Sequence, residues 1–468
     1  MGTSPLQVDV AIIGAGTAGM SAYKAARKHT DRIVVIEKGP YGTMCARVGC
    51  MPSKLLIAAS EAARAVRGAP VFGVYTQGLQ VNGEAVMQRL HAERARFVQA
   101  AVDDVLSWPA QHLLRGHARF TAPRELVVSS GSSVQTVQAR ATIIATGTTP
   151  TYPAAWKAAL GERMVVNDDI FSWTTLPPSV AIVGTGVIGL EMAQALQGLG
   201  VKVLLVGRSE KIGPLTAPAL QSAARQLVSQ DVETLFNAQV TAVQLQGEQV
   251  ELSISQGDTT RTEQVDYLLV ATGRHHTLEA LNIEQAGVVL DDKGRPQIDR
   301  QTRQVQDLPI FMAGDANGVV PLQHEASDDG FAAGNNAAHW PDTKAFARRT
   351  GLSIVFSHPQ MMIAGQSHAL LTRAGADFVV GSVDFANQGR ASIMGANRGL
   401  LQLYADRASQ RLLGAEMLGP SAEHFAHLLA WSVQQQATIS SLLAMPFYHP
   451  ALEEGLRTAL QDARRQLR

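Results

Sequence analysis

Two segments of the sequence, 170 residues apart, carry the same pattern and align without a gap. Each contains a short apolar run, a G-x-G-x-x-G turn, a stretch of helical composition and a second apolar run. The glycines are Gly14, Gly16 and Gly19 in the first copy and Gly184, Gly186 and Gly189 in the second. The apolar runs are Val8–Ile13 and Ile33–Ile36 in the first copy, and Val180–Val183 and Val201–Val206 in the second. Glycines in such a turn let the backbone approach a pyrophosphate, whose charge is met by the helix N-terminus. The sequence therefore predicts two dinucleotide-binding units in one chain.

The residue after the second apolar run indicates which ribose each unit can hold. Glu37 in the first copy can accept hydrogen bonds from a ribose diol. The corresponding residue in the second copy is Gly207, followed by Arg208. A guanidinium can pair with a 2′-phosphate, so Arg208 favours NADPH over NADH. The alternative is that Arg208 is a solvated surface charge and that NADH binds.

The chain contains two cysteines, Cys45 and Cys50, which directly follow the first glycine unit. Two thiols are too few for a disulfide-stapled secreted fold, and a structural zinc site would also need histidines. A helix is predicted from Pro52 onwards, and the start of a helix favours thiolate chemistry. The pair is therefore either redox-active or two unrelated buried thiols.

A histidine near the C-terminus is a candidate for moving protons during thiol exchange. His449 has the chemistry for acid–base catalysis at neutral pH, and Glu454 could orient its second ring nitrogen. From spacing alone, the simpler interpretation is a surface histidine before a helix whose first turn contains Pro450. The residues by themselves leave both interpretations open.

Length and charge limit the function classes. A chain of 468 residues suggests about three domains, and 17% charged with 46% hydrophobic residues fits a globular enzyme. Basic and acidic residues number 40 each, so nothing electrostatic favours nucleic acid or an anionic membrane as a partner. The N-terminal residues lack a signal-peptide pattern, and no apolar run reaches the ~18 residues needed to span a bilayer. We therefore expect a cytoplasmic protein.

Recurring apolar segments that end in glycine predict how the chain is divided into domains. One ends at Gly147 and another at Gly273, and the run Ile310–Ala313 leads into Gly314 and Asp315. The predicted segments are a first nucleotide-binding domain (1–150), an inserted nucleotide-binding domain (151–275), a return to the first domain (276–345) and a C-terminal α/β region (346–468); the family resemblance described next assigns FAD to the first domain and NAD(P) to the inserted one.

Several motifs together resemble those of the class I pyridine-nucleotide disulfide oxidoreductases, in order and over nearly the whole chain. The segment from Gly42 to Lys54 resembles the redox-disulfide segment of that family, and its Pro-Ser-Lys ending is typical of the dihydrolipoamide dehydrogenase branch. The other matching motifs are Ile188 to Glu191, Gly314-Asp315, Phe356 to Pro359 and His449 to Glu454. The resemblance implies an α/β fold with two Rossmann-like domains, for FAD and NAD(P), and a C-terminal α/β dimerisation domain.

The resemblance also implies a role for individual residues and a homodimer. Cys45 would exchange with the substrate, Cys50 would face the flavin, Lys54 and Glu191 would pair near the flavin, Asp315 would bind FAD, and His449 with Glu454 would act across the dimer interface. The implied reaction passes electrons between NAD(P)H and a lipoamide-like disulfide or dithiol. The direction of flux and membership of a larger complex stay open.

Because the sequence departs from the family pattern at several positions, the identity of the substrate stays open. Thr43 and Arg47 stand where the family usually has glycine and asparagine, and Phe447 and Ala451 replace a histidine and a threonine beside His449. The alternatives are an NADPH-dependent reductase of another small, glutathione-like disulfide, a flavoprotein subunit or redox sensor with little turnover, and a quinone or dye reductase. Glutathione itself is disfavoured because the first glycine-turn helix lacks the arginine that glutathione reductases use.

Overall fold

Each glycine pattern lies between a parallel strand and a helix in the computed structural model, which describes residues 4–276 and 278–467. The strands are β1 (Leu6–Ile13), β2 (Ile33–Glu37), β3 (Leu113–Arg115), β4 (His117–Ala122), β5 (Glu125–Ser130), β6 (Ser133–Ile144), β7 (Thr149–Pro150), β8 (Met164–Val165), β9 (Ser179–Val183), β10 (Lys202–Val206), β11 (Glu233–Leu235), β12 (Ala238–Gln246), β13 (Gln249–Gln256), β14 (Thr259–Val265), β15 (Tyr267–Val270), β16 (Arg274–His275), β17 (Ile310–Met312), β18 (Leu352–Val355), β19 (Gln360–Gly365), β20 (Phe378–Asp384), β21 (Leu400–Asp406) and β22 (Leu412–Gly419).

The helices range in length from four to 24 residues. They are α1 (Thr17–Ala26), α2 (Met44–Val48), α3 (Cys50–Gly68), α4 (Gly83–Leu106), α5 (Ala154–Leu160), α6 (Asn167–Ile170), α7 (Val187–Gly198), α8 (Pro218–Asp231), α9 (Gln323–His339), α10 (His368–Arg373), α11 (Gly389–Ile393), α12 (Ala422–Gln434), α13 (Ile439–Leu443) and α14 (Glu454–Gln466). Short 3-10 helices are Ala69–Phe72, Ala110–His112, Gly161–Arg163, Glu279–Leu281, Ile283–Ala286, Gly314–Asn317 and Phe385–Asn387.

The chain forms two compact units, each assembled from three stretches of sequence. Unit 1 comprises residues 1–52, 90–151 and 274–348, and unit 2 comprises residues 53–89, 152–273 and 349–468. The segment boundaries predicted after residues 150, 275 and 345 stay predictions.

The main sheet of unit 1 is built around β1. Its strands follow the order β3-β2-β1-β6, with β17 beside β6, and these contacts are parallel. The antiparallel strands β5 and β4 extend the sheet beyond β6. Alternate residues of β1 enter different cores: Val10 and Ile12 pack with α1 and α9, and Ala11 and Ile13 pack on the opposite face. Burial on both faces explains why residues 10–13 of β1 are all apolar.

Helices α1 and α9 of unit 1 pack at very close range because glycines face small residues. A Cβ placed on Gly330 would lie 2.2 Å from the carbonyl oxygen of Ala18, and one on Gly334 would lie 2.3 Å from that of Ala22. The alanine-rich composition of α1 is therefore a packing requirement. The contact fixes the helix that follows the first glycine turn.

Unit 2 contains the second glycine pattern in a parallel sheet of order β11-β10-β9-β15-β8 and a separate antiparallel sheet β12-β13-β14. Its C-terminal part is an antiparallel sheet of order β18-β19-β22-β21-β20. Helix α14 covers this sheet with Leu456, Ala459, Leu460 and Ala463, which recur at the spacing of one helical face. The arrangement confirms the predicted α/β class.

The structure corrects two predictions about where helices begin. Helix α3 begins at Cys50, two residues before the predicted start, and Pro52 is accommodated because first-turn residues have no intrahelical N–H bond to lose. Helix α14 begins at Glu454, so Pro450 lies in the turn before it. Over residues 4–276 and 278–467, none of the helices has the length and apolarity needed to cross a membrane.

Candidate active site

The two glycine turns have the same stereochemistry. Gly14 and Gly184 have φ values of 107° and 120°, and a Cβ on either would lie 2.4 Å from a carbonyl oxygen, that of Ala145 or Ala271. These conformations and close approaches require glycine. The third glycine of each turn packs against the first: a Cβ on Gly19 or Gly189 would lie 1.8 or 1.9 Å from the carbonyl oxygen of Gly14 or Gly184.

The middle glycine of each turn instead borders open space. A Cβ on Gly16 or Gly186 would meet no atom within 4 Å, and no side chain caps α1 or α7 at these residues. The first N–H groups of each helix thus remain available to a phosphate. Both turns fit the pyrophosphate of a dinucleotide.

The carboxylate of Glu37 lies at the end of β2 in unit 1. It accepts hydrogen bonds from the backbone N–H of Ala15 at 2.8 Å and of Gly39 at 2.7 Å. Each carboxylate oxygen can accept a further hydrogen bond, so the ribose diol predicted for this position can be bound.

Two further features of unit 1 bear on whether a polar cofactor fits the segments that are predicted to bind FAD. The hydroxyl oxygen of Thr146, beside Gly147, is buried and has no hydrogen-bond partner within the part of the chain that the structure describes. Burial raises the pKa of Asp315, and Arg274 and Thr148 act in the opposite direction. A half-buried carboxyl and an unsatisfied hydroxyl are groups that a polar cofactor would pair, so these residues fit FAD.

Arg274 connects several parts of unit 1. Its guanidinium donates to the hydroxyl and carbonyl oxygens of Thr148, each at 3.0 Å, and contacts Met44 Sδ at 3.0 Å. It therefore fixes the residue that precedes Cys45. Arg274 directly follows Gly273, and the sequence pattern that ends at Gly273 gave no indication of this contact.

The second unit lacks a carboxylate at the ribose position. A Cβ on Gly207 would lie 2.7 Å from Thr185 Cγ2, so the methyl group of Thr185 fills the space of a side chain there. Arg208 is exposed, and no ion pair involving it is present among residues 4–276 and 278–467. Its guanidinium can therefore take an anionic partner.

The two cysteines lie at the starts of successive helices. Cys45 is half-buried in α2, and Cys50 is exposed as the first residue of the 19-residue helix α3. The positive end of the α3 helix dipole lies at Cys50 and favours a thiolate there. Thr43 caps α2 by accepting a hydrogen bond from Ala46 N–H at 3.1 Å, although its φ of 54° is unfavourable for a β-branched residue. The departure from glycine at position 43 thus adds a cap and backbone strain.

Lys54 and Glu191 form an ion pair in unit 2, as their implied role requires. Lys54 Nζ lies 3.0 and 2.7 Å from the two carboxylate oxygens of Glu191 and 4.7 Å from the ring centroid of Phe356. The backbone N–H of Phe356 donates to the same carboxylate at 2.9 Å. The motif from Phe356 to Pro359 therefore helps to hold Glu191. A location beside the flavin stays a prediction for this pair.

His449 and Glu454 are also in contact within unit 2. His449 Nδ1 lies 3.0 and 3.2 Å from the carboxylate oxygens of Glu454, which also accepts from Ala451 N–H at 3.1 Å. These hydrogen bonds, that of His449 first, lower the pKa of Glu454. The His449 side chain is 82% exposed, so its other nitrogen is accessible from outside this chain. The described residues contain no cluster of three or more His, Cys, Asp or Glu suited to a metal ion.

Comparisons with known proteins place these features in a family. The pyridine nucleotide-disulphide oxidoreductase model matches residues 8–330, and the dimerisation domain of the same family matches residues 352–460. Similar curated proteins include dihydrolipoyl dehydrogenases from Geobacillus stearothermophilus (26% identity, 99% of this chain, 97% of that one) and Thermus scotoductus (29% identity, 98% of each).

Solved structures show the same fold. LpdA from Mycobacterium tuberculosis matches with a TM-score of 0.84 at 22% identity, covering 98% of this chain and 100% of that one. The HOCl-induced flavoprotein disulfide reductase RclA from Escherichia coli, in its Cu(II) complex, matches with a TM-score of 0.82 at 22% identity, covering 99% and 100%. The family match and the two glycine turns confirm the predicted class of enzyme. The chain belongs to the pyridine nucleotide-disulphide oxidoreductase family, in class I, and is an oxidoreductase that uses FAD and a pyridine nucleotide.

Proposed function

We propose that the chain passes electrons between NAD(P)H and a disulfide or dithiol substrate through Cys45 and Cys50, as in a dihydrolipoyl dehydrogenase. The observation that carries the proposal is the position of the cysteines in unit 1, one in the short helix α2 and the other at the start of α3. Bound FAD would supply the two-electron chemistry that connects a nicotinamide to a disulfide. Gly14, Gly16, Gly19, Glu37, Gly147 and Asp315 would hold it.

The thiol chemistry follows from the two cysteines and a proton donor. In the reducing direction, the Cys45 thiolate attacks one sulfur of the substrate disulfide, and the other sulfur leaves and takes a proton from His449. Cys50 then attacks the Cys45 sulfur, which releases the second substrate thiol and forms the Cys45–Cys50 disulfide. Oxidation of a dithiol such as dihydrolipoamide uses the same steps in reverse. Glu454 holds the imidazole of His449 through Nδ1.

We propose further that the proton donor comes from the second subunit of a homodimer. The match to a dimerisation domain over residues 352–460 and the exposure of His449 support this arrangement. Mixed dimers test it directly. A dimer of one Cys45→Ser subunit and one His449→Gln subunit should retain one intact site and about half of the wild-type turnover. If Cys45 works with the His449 of its own chain, the mixed dimer will be as inactive as each parent.

NADPH is the nucleotide we propose, with NADH as the alternative. The absence of a carboxylate at Gly207 and the exposed guanidinium of Arg208 support a 2′-phosphate partner. Replacing Arg208 by Gln should lower kcat/KM for NADPH by about 10- to 100-fold, the value of one charge-assisted hydrogen bond, and affect NADH much less. Equal losses with both nucleotides would favour NADH and a solvated Arg208. The reducing conditions that such a pair needs suggest the cytoplasm.

Anaerobic titration of the purified yellow protein with NADPH and with NADH tests the whole proposal. A long-wavelength absorption band would report a thiolate lying against oxidised flavin. Cys50→Ser should abolish the band, whereas Cys45→Ser should keep flavin reduction by nicotinamide and lose disulfide turnover. Loss of both activities together in Cys45→Ser would contradict the proposed order of the cysteines.

Steady-state assays separate the alternatives. Turnover of lipoamide or another small disulfide, lost after thiol alkylation, is the expected result. Flavin reduction without turnover of any disulfide would indicate a subunit or sensor. Quinone or dye reduction that survives alkylation would indicate that the cysteines are not used.

A further inference from the structure

A cavity of about 350 Å³ in unit 1 lies beside Cys45. Its volume is near the lower limit of small-molecule sites, so it suits a small ligand. Helix α1 contributes Met20 and Lys24 to its lining, the residues that follow α1 contribute Lys28, and α9 contributes Phe331. The cavity thus brings one cysteine, apolar surface and positive charge to the same place.

The charged groups of the cavity lining are both lysines. Lys24 Nζ lies 2.5 Å from Asp104 Oδ2, so its charge is partly compensated by a residue outside the lining. Lys28 Nζ lies 5.9 Å from the ring centroid of Phe331, and no ion pair involving Lys28 occurs in the described ranges 4–276 and 278–467. An ammonium group over an aromatic face keeps its charge and stays available to an anion. Of the two lysines that line the cavity, Lys28 is therefore the one whose charge is not compensated by an ion pair.

We propose that the physiological substrate is a small disulfide with a carboxylate or similar anionic group close to its sulfurs. This inference rests on the proposed function of Cys45. Lys28, assisted by Lys24, binds the anion, and Met20 with Phe331 contacts the apolar part. One NADPH and one proton reduce the disulfide to two thiols, with Cys45 forming the mixed disulfide and Lys28 unchanged by the reaction.

A matched pair of substrates measures this preference. Lipoate and lipoamide contain the same dithiolane ring and differ in charge, so the ratio of their kcat/KM values reports recognition of the anion. We expect the wild-type ratio to exceed one. It should fall about fivefold in Lys28→Gln, the upper range for an exposed ion pair, and further in the Lys24→Gln/Lys28→Gln double variant. Lys28→Arg should keep most of the ratio, and high salt should lower it.

The control is Lys293→Gln, which removes an exposed lysine from a turn of the same unit. Its ratio should equal that of the wild type. A wild-type preference for lipoamide, or a ratio that the Lys28→Gln and double variants leave unchanged, would overturn the inference.

Alkylation of the reduced protein provides a measurement that needs no turnover. Iodoacetate and iodoacetamide attack the same thiolate and differ in charge, so their rate ratio at Cys45, located by mass spectrometry, reports the charge in the cavity. The ratio should be about fivefold higher in the wild type than in the double variant. If no disulfide is turned over but this difference is present, the proposed function fails and the anion site stands. If the alkylation ratio is the same in both proteins, the anion site fails.

Discussion

The methyl group of Thr185 occupies the space into which a side chain at position 207 would extend, since a Cβ on Gly207 would lie 2.7 Å from Thr185 Cγ2. The corresponding residues in the first unit are Ala15 and Glu37, and there Ala15 N–H donates to the carboxylate at 2.8 Å. An acidic residue at the ribose position thus needs a small residue in the glycine turn. We propose that Thr185 and Gly207 together contribute to the choice between NADPH and NADH.

We therefore expect nucleotide preference to change only when both residues are replaced. Gly207→Glu alone should lower kcat/KM for NADPH and NADH, because the new side chain collides with Thr185. Thr185→Ala with Gly207→Glu should shift the preference towards NADH by about tenfold or more, because a carboxylate accepts from a ribose diol and repels a 2′-phosphate. Steady-state kinetics with both nucleotides and a dye acceptor measure the shift. A single variant that performs as well as the double variant would contradict this coupling.

Substitutions of two glycines in the second turn should have different effects, one on nucleotide binding and the other on the stability of the protein. Gly186→Ala should keep the stability of the protein, since its φ of −72° is allowed for alanine and its Cβ meets no atom within 4 Å. The added methyl should weaken nucleotide binding by occupying the approach to the helix. Gly189→Ala should lower the free energy of unfolding by about 3 kcal/mol, because its Cβ would lie 1.9 Å from the Gly184 carbonyl oxygen. Urea unfolding and nucleotide titration of both variants distinguish the two effects.

The ion pair between Lys54 and Glu191 should contribute to stability because one partner is buried. Glu191→Ala would leave the Lys54 ammonium and the Phe356 N–H without their acceptor, at a cost of about 2–3 kcal/mol after allowing for partial exposure of Lys54. The matched control is Asp377→Ala, which breaks the exposed pair with Arg407 and should cost less than about 1 kcal/mol. Equal shifts of the urea midpoint in the two variants would rule out a special contribution from Glu191.

Turnover should depend on His449 more strongly than on Glu454. His449→Gln should lower kcat by about 10²- to 10⁴-fold, the usual range for a general acid. Glu454→Gln should cost about tenfold, because it loses only the charge that orients the imidazole. The pKa of Glu454 is lowered, so the orienting charge is present above the ordinary glutamate value and is lost as the pH falls through the lowered one. The kcat of Glu454→Gln should therefore lie below that of the wild type across neutral pH. The two pH profiles should converge only in acid, where Glu454 is protonated.

Asp315 should make the stability of the flavin-free protein depend on pH. Its pKa is raised by burial, so its contribution to stability is fully present below the unfolded value of about 3.9 and is lost as the pH rises through the folded value. Asp315→Asn should remove this loss and make the apoprotein more stable at neutral pH. The same change should weaken FAD binding by about 10- to 100-fold through loss of a charged acceptor. Urea unfolding of the apoprotein from pH 4 to 8, with flavin titration, measures both effects. A variant apoprotein with the wild-type pH dependence would exclude Asp315 as the source.

Local patterns in the sequence were sufficient for the nucleotide-binding turns, the α/β class and the family. A G-x-G-x-x-G turn between two apolar runs needs only neighbouring residues, and both copies formed the strand, turn and helix that the pattern predicts. The spacing of Cys45 and Cys50 is likewise a local property, and their segment resembles a known motif. The sequence predicted the ends of helices less well than their presence. Helix α3 starts at Cys50 and not at Pro52, because a proline is tolerated in the first turn of a helix.

Contacts between distant residues were decided only by the tertiary structure. Nothing in the spacing of Lys54 and Glu191, 137 residues apart, shows that their side chains meet or that Phe356 joins them. The same is true of Thr185 with Gly207 and of Lys28 beside Cys45, because side-chain contacts depend on how strands and helices pack. The sequence by itself thus determined which chemistry the chain carries, through short patterns that fold locally. Packing decided which side chains surround that chemistry, since burial and charge at a site come from residues far apart in the chain.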